Sequence, residues 1–202
     1  MSRAARGEQV LDSAAELFAA DGFAATSVQK VADRARLTKA GLYYHIRDKE
    51  DLLYRICDHS ISTILAGARK AMARCDDPQA RIVALIRNHA EFFRAHPDNL
   101  TVLNRDINAL SPQRRSAVHK LERAYLDLWR GAISDGQKAG TVRRGVDPTV
   151  AAFTVLASLN TLHIWYDPKG RVGYRTMVRQ ITAILCQGLC TTSNDKRSEP
   201  NG

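Results

Sequence analysis

Residues 27–54 read SVQKVADRARLTKAGLYYHIRDKEDLLY, and that stretch decides how the chain folds. Two short helical patterns meet there at a three-residue turn, and a third helix begins directly after them. Ser27 is a good N-cap, because its hydroxyl can accept from an orphan amide in the first turn of the helix. Val28, Val31 and Ala32 then share one face at helical spacing. The pattern breaks at Ala35-Arg36-Leu37, and Thr38 offers a second capping hydroxyl. A very short helix follows, with Leu42 and Ile46 facing inward at i and i+4. The small Ala40 and Gly41 let that helix approach another backbone closely. Asp48 caps a third time, with Asp51 three residues on in the manner of a capping box. Leu52, Leu53, Ile56, Ile61, Ile64 and Leu65 carry a long amphipathic helix on to about Met72.

Two helices joined in this way read as a helix-turn-helix, whose second helix enters the major groove led by its N-terminal residues. Here Thr38, Lys39 and Ala40 lead, and Tyr43, Tyr44 and His45 follow on the outer side. Lys39 can donate to guanine edges or to phosphate, and Thr38 presents both a methyl and a hydroxyl. The tyrosines and His45 carry donors on flat apolar bodies that suit the sugar-phosphate wall. Ser27 and Val28, at the start of the preceding helix, join the candidate DNA contacts. Lys49 does too, at a helix start where free amides and the dipole already favour an anion. The tyrosines could instead pack between helices. Neighbours on a helix lie about 100° apart, however, so three in a row cannot all face one core and at least one points outward.

Over residues 8 to 54 the chain resembles the N-terminal DNA-binding domain of TetR-type transcriptional regulators. The likeness rests on Asp21-Gly22-Phe23, Thr26-Ser27-Val28, Leu42-Tyr43-Tyr44-His45 and the run Lys49 to Leu53, all at the family's spacing. Ile46 stands where a Phe is more usual, an apolar exchange. The resemblance implies a sequence-specific DNA-binding regulator that meets double-stranded operator DNA as a homodimer.

Charge agrees without deciding. The chain of 202 residues carries +9, and its pI is near 9.7, which suits a polyanionic partner. Residues 1–50 hold eight Lys/Arg against seven Asp/Glu, and residues 76–202 hold eighteen against twelve. The excess therefore lies outside the reading head, and DNA binding rests on the motif. The C-terminal excess serves solubility, general attraction to DNA or an acidic ligand. Arg3 and Arg6 make either a short basic arm or a disordered terminus.

Other classes find little support. The N-terminus has no apolar run of the kind a signal peptide needs. Residues 148–166 lack charge but hold Asn160, His163, three Thr and a Ser, so they read as a buried helix rather than a membrane span. The chain accordingly reads as cytoplasmic. Cys57, Cys75, Cys186 and Cys190 show no zinc spacing; Cys186 and Cys190 share a helix face, as packing residues or as a redox pair. Neither a metal site nor a cofactor is implied, and the catalytic signatures of hydrolases, nucleotidases, dehydrogenases and zinc proteases are absent. The chain reads as a non-enzyme.

The remaining sequence reads as helix, giving an all-α fold. The expected organisation is a helix-turn-helix domain over 1–50, a helical effector-binding and dimerisation domain over 51–191, and a disordered tail over 192–202. Asp76-Asp77-Pro78 ends the fourth helix. Apolar stripes follow from Ile82 to Phe93, from Leu100 to Leu110, and from Val118 to Ala132 up to Gly136 and Gly140. Ser111-Pro112 and Asp147-Pro148 each start a helix with Pro at its first position. The helix after Pro148 is apolar on nearly every side, running through Val150, Phe153, Leu159, Leu162 and Ile164. Such a helix must be enclosed, by its own core on one side and by a second subunit on the other. With the last helix, Met177 to Leu189, it would form a dimer interface; the other reading closes a monomeric core.

Residues Asp106 to Arg115, Asp147-Pro148, Leu159-Asn160 and Trp165 to Arg171 resemble the ligand domain of TetR-type regulators of ketosteroid and fatty-acid catabolism. Asp167-Pro168-Lys169-Gly170 stands where that group often shows Arg-Pro-Gly-Gly, which inverts one charge. The resemblance implies an acyl-CoA thioester as effector. An apolar tunnel would hold the acyl chain and basic groups at its mouth the phosphates. Asn104, Arg105, Asn108, Trp129, Asn160, His163, Trp165 and Arg171 are the candidate effector contacts. Arg105-Asp106 could equally be a structural pair, and Trp165 could be core or interface packing. Against a ligand-controlled repressor stand an effector-independent architectural DNA-binding protein and an enzyme on a borrowed helical fold.

Overall fold

In a computed structural model, the described residues 3–190 form the helices α1 (Arg3–Asp21), α2 (Val28–Arg34), α3 (Lys39–Tyr43), α4 (Lys49–Met72) and α5 (Pro78–Ala95). They continue with α6 (Pro97–Asp106), a 3-10 turn (Ile107–Ala109), α7 (Pro112–Lys138), α8 (Pro148–Asn160), α9 (Leu162–Trp165) and α10 (Tyr174–Leu189). The expected tail at 192–202 falls outside the described residues. Two compact units divide the chain: Met1–Thr63 with His96–Glu122, and Ile64–Ala95 with Arg123–Gly202. The unit that holds the reading head thus takes in more than residues 1–50, adding α6, the 3-10 turn and the start of α7.

In the first unit, Val10, Ala14, Phe18, Val31, Leu42, Leu52 and Leu53 are fully buried, and α1 packs on α6, whose Leu100 and Val102 are buried too. Gly22, at φ 87°, returns its N–H to Phe18 O at 2.8 Å and closes α1. The turn after α2 is a Schellman motif: Leu37 donates to Ala32 O at 2.9 Å and Arg36 to Asp33 O at 3.1 Å. Arg36 sits there at φ 55°, a left-handed position that costs a non-glycine residue about 1 kcal/mol. All three expected caps form, with Lys30 N to Ser27 Oγ at 3.1 Å, Gly41 N to Thr38 Oγ1 at 3.0 Å and Asp51 N to Asp48 Oδ1 at 2.6 Å. The box at Asp48 closes differently from expectation, since the Asp51 carboxylate accepts from Arg47 N rather than from Asp48 N.

In the second unit the core is Ile64, Ile82, Leu85, Ile86, Trp129, Ile133, Ala152, Val155, Leu159 and Leu162. Two expectations need correction. The apolar stretch after Pro148 is two helices, broken at Thr161, whose hydroxyl bonds back to Ala157 O and Ser158 O. Such back-bonding offers the backbone an alternative to the helical ladder. The Leu100–Leu110 helix ends at Asp106 in a 3-10 turn, and α7 runs through Gly136 to Lys138. On α8, Ala151, Ala152, Val155 and Leu159 are buried while Val150 and Phe153 stand exposed, and on α9 Ile164 and Trp165 are exposed.

One polar cluster lies inside this unit. His89 of α5 and Tyr125 of α7 are buried, with Nδ1 and the hydroxyl 3.3 Å apart and the rings stacked. With Tyr125 donating to Nδ1, the neutral ring keeps its proton on Nε2, which is buried without a partner, as is Trp129 Nε1 beside it. Burial lowers the His89 pKa from 6.5 to about 4 and pushes that of Tyr125 up. The unfolded chain therefore takes up a proton below pH 6.5 that the folded chain refuses, so stability is lost as pH falls from 6.5 toward 4. We expect wild type to lose about 2 kcal/mol more stability than His89→Gln between pH 7 and pH 5. Urea unfolding at both pH values checks this, and parallel losses in the two proteins would contradict it.

Candidate functional site

The recognition helix α3 is held from below and bare above. Leu42 is fully buried and Ile46 nearly so, whereas Thr38, Lys39 and Ala40 are exposed. Tyr43 is 44% and Tyr44 65% exposed, so both tyrosines point outward, where periodicity required only one to do so. His45 is half-buried and meets Tyr44 edge-on, with ring centroids 5.4 Å apart. A Cβ on Gly41 would lie 3.2 Å from Thr38 Oγ1, so this glycine gives room to its own helix cap rather than to a neighbouring helix. Ser27 is exposed with its hydroxyl engaged in capping, and Val28 is half-buried.

Lys49 is placed otherwise than its position at a helix start suggests. Its ammonium donates to Phe23 O at 2.8 Å, Ala24 O at 3.2 Å and Thr26 O at 2.9 Å, and lies 4.4 Å from the Phe23 ring centre. All three N–H donors are thereby engaged in holding the loop between α1 and α2. Among the described residues, the exposed cations beside α3 whose side chains carry no partner are Lys39, Arg36 and Arg47. Arg36 and Arg47 escaped the sequence analysis; the available signal was a basic residue just outside each end of the short helix.

The head is braced from α6 and α7. Arg105 caps the C-terminal end of α1, donating to Phe18 O and to Ala19 O at 3.0 Å, while Asp106 holds its other edge. A cation at that end also meets the negative pole of the helix dipole. Arg114 reaches Asp48 at 3.2 Å and Glu50 at 3.3 Å, and Ser111 N donates to Glu50 Oε1 at 2.7 Å. The Ser111 N–H chiefly holds the Glu50 carboxyl below its usual range. Burial opposes the same effect at Asp48, where the Asp51 N–H and Arg114 prevail.

The candidate effector residues do not gather into one compact unit. Asn104, Arg105 and Asn108 belong to the first, where all three are exposed and Arg105 serves as the brace just described. Trp129, Asn160, His163, Trp165 and Arg171 belong to the second. Trp129 is wholly enclosed; His163 is half-buried, with a buried Nδ1 that finds no partner. Asn160 is half-buried at the end of α8, Trp165 is 55% exposed, and Arg171 is exposed. Asp167, the inverted charge, folds its carboxylate onto its own turn by accepting from Lys169 N at 2.9 Å. The second unit instead shows an open groove of about 1040 Å³ along α5 and α10, which none of these residues lines.

A bare recognition helix on a three-helix head defines a helix-turn-helix DNA-binding transcriptional regulator. Residues 10–56 match the tetR family of bacterial regulatory proteins, and residues 75–189 match the tetracyclin repressor-like C-terminal domain. The chain belongs to the TetR family, whose members are regulators rather than enzymes. It is 28% identical over 194 residues to the HTH-type transcriptional repressor KstR2 of Rhodococcus jostii strain RHA1, covering 95% of each chain. Among solved structures it is similar to AibR in complex with isovaleryl coenzyme A and operator DNA, at 27% identity and TM-score 0.81, covering 89% of this chain and 97% of that one. The regulator PfmR of Thermus thermophilus aligns at 29% identity and TM-score 0.81, over 88% of this chain and 97% of that one.

Because Lys49 braces a loop, we expect Lys49→Met to cost about 1–3 kcal/mol of stability, the range for leaving buried or charged hydrogen-bond partners unmet. Thermal unfolding checks this; an unchanged melting temperature with weakened DNA binding would return Lys49 to the phosphate role.

Proposed function

We propose that the protein is a homodimeric repressor that leaves its operator on binding an acyl-CoA thioester. The observation that carries the DNA half is the outward face of α3. Leu42 fixes the helix in the core, while Thr38, Lys39, Ala40, Tyr43 and Tyr44 stay bare to meet base edges and backbone. Ser27, Val28 and His45 flank that surface as further contacts.

The homodimer reading draws on the exposed apolar side chains of the last helices. Val150, Phe153, Ile164, Trp165 and Ile184, between 55% and 72% exposed, lie on α8, α9 and α10. A second copy covering them would bury that surface and carry two heads to a pseudo-palindromic site.

The effector reading draws on relatives. KstR2 of R. jostii is named a repressor, and AibR was captured with isovaleryl coenzyme A and operator DNA. Differential affinity of the thioester for a state whose heads no longer match the operator would shift the population away from DNA. The helix α4 contributes residues to both units and is the lever in this scheme. Among the described residues no helix is long and apolar enough to cross a membrane, which fits a cytoplasmic regulator. The groove along α5 and α10 counts against an effector-independent architectural protein.

Lys39→Ala and Tyr43→Ala are expected each to weaken operator binding at least about tenfold, the loss of roughly one good base or phosphate contact. Neither should change the melting temperature, since both side chains are exposed. Gel-shift titration checks this, and wild-type affinity in both variants would remove α3 from the DNA interface.

A further inference from the structure

The groove along α5 and α10 has a charge arrangement that folding does not explain. Arg87 comes from α5, Arg175 and Arg179 from α10, and Arg74 from the turn after α4. All four are exposed, and none of their side chains makes an ion pair or hydrogen bond among the described residues. Two carboxylates line the same groove, so four arginines against two acids leave a net +2. Both acids are already engaged. Asp77 caps α5 by accepting from Ala80 N at 2.6 Å, and Glu91 is held by Arg94 and by the Tyr174 hydroxyl at 3.3 Å. Elsewhere the protein pairs arginines readily, as with Arg34–Glu16 and Arg130–Asp127. Four unpaired guanidinium groups converging on one groove repel one another unless an anion joins them.

The floor between the arginines is apolar, with Val83 and Ala84 from α5 facing Val178 from α10. Along α10 the residues Arg175, Val178, Arg179 and Thr182 recur at i, i+3, i+4 and i+7, so one helix face alternates charge and apolar contact. Its volume of about 1040 Å³ lies at the upper end of small-molecule sites. That combination suits a ligand with several phosphates on a flat or aliphatic body, because guanidinium forks bind phosphate bidentately.

We infer that this groove binds the phosphate-bearing nucleotide head of the effector, with Arg74, Arg87, Arg175 and Arg179 as its anion clamp. The inference rests on the acyl-CoA reading above for the ligand's name, but its chemistry is that of any nucleotide carrying phosphates at more than one position. It moves the phosphate contacts away from Arg105 and Arg171, to which the sequence pointed.

The test is calorimetric titration of the full chain with free coenzyme A, with adenosine 3′,5′-bisphosphate and with a series of acyl-CoA thioesters. Wild type is compared with the double variant Arg87→Gln/Arg179→Gln and the control Arg130→Gln. The replaced groove arginines have no partner to lose, so folding should be unaffected, and the melting temperature confirms it. We expect coenzyme A and its thioesters to bind wild type and the control, to weaken with added salt, and to bind the double variant at least about tenfold less tightly. Equal thioester affinity in wild type and double variant overturns the groove assignment while leaving the effector reading intact. Binding of the bisphosphate alone, lost in the double variant, upholds the groove and overturns the thioester reading. No binding of any of these ligands to wild type overturns both. A gel shift with the same variants separates one more source of phosphate: loss of operator affinity in the double variant without loss of nucleotide binding would assign the groove to DNA.

Discussion

The recognition helix α3 spans only Lys39–Tyr43, and a helix that short has no stability of its own in water. Everything the protein does at DNA depends on how those residues are held from beneath. Leu42 and Ile46 anchor the helix in the core, and the Thr38 hydroxyl closes its first turn at 3.0 Å. The reverse turn before it is pinned by the Schellman bonds of Arg36 and Leu37, at the cost of a left-handed arginine. This arrangement leaves the side chains of Lys39, Tyr43 and Tyr44 exposed on the side away from the core.

The supports of the head come from far along the chain. Lys49 ties the loop at 23–26, Arg105 caps α1, and Arg114 with Ser111 grips the acidic start of α4. The reading head is therefore built together with α6 and the first turns of α7. In a regulator this matters, because α4 and α7 each contribute residues to both compact units. Both helices begin at the Asp48–Arg114 cluster, beside the reading head.

How much of this was legible in the sequence follows from the range of the interactions. Helix caps are contacts three residues long, so Ser27, Thr38, Asp48 and Asp147 could be read directly, and the turn at Ala35-Arg36-Leu37 with them. The outward tyrosines followed from helical angle alone. The loop contacts of Lys49 could not be read, because its partners lie 23 to 26 positions earlier, where no local pattern points to them. Arg105 likewise finds its carbonyls 86 and 87 residues away. The break between α8 and α9 stayed hidden because an uncharged, nearly all-apolar stretch offers no periodicity to interrupt. The arginine groove was invisible for a further reason: Arg74, Arg87 and Arg175 look like ordinary solvated charges until α5 and α10 set them side by side.

The central claim is that one molecule both grips a specific operator and lets go when its effector binds. Gel-shift binding of the purified protein to its own upstream intergenic DNA, with and without a panel of acyl-CoA thioesters, tests it most directly. The account predicts a specific complex that one thioester dissolves and that free coenzyme A or the matching carboxylic acid does not. A specific complex that no thioester disturbs would contradict the effector half, and no specific complex at all would contradict the whole.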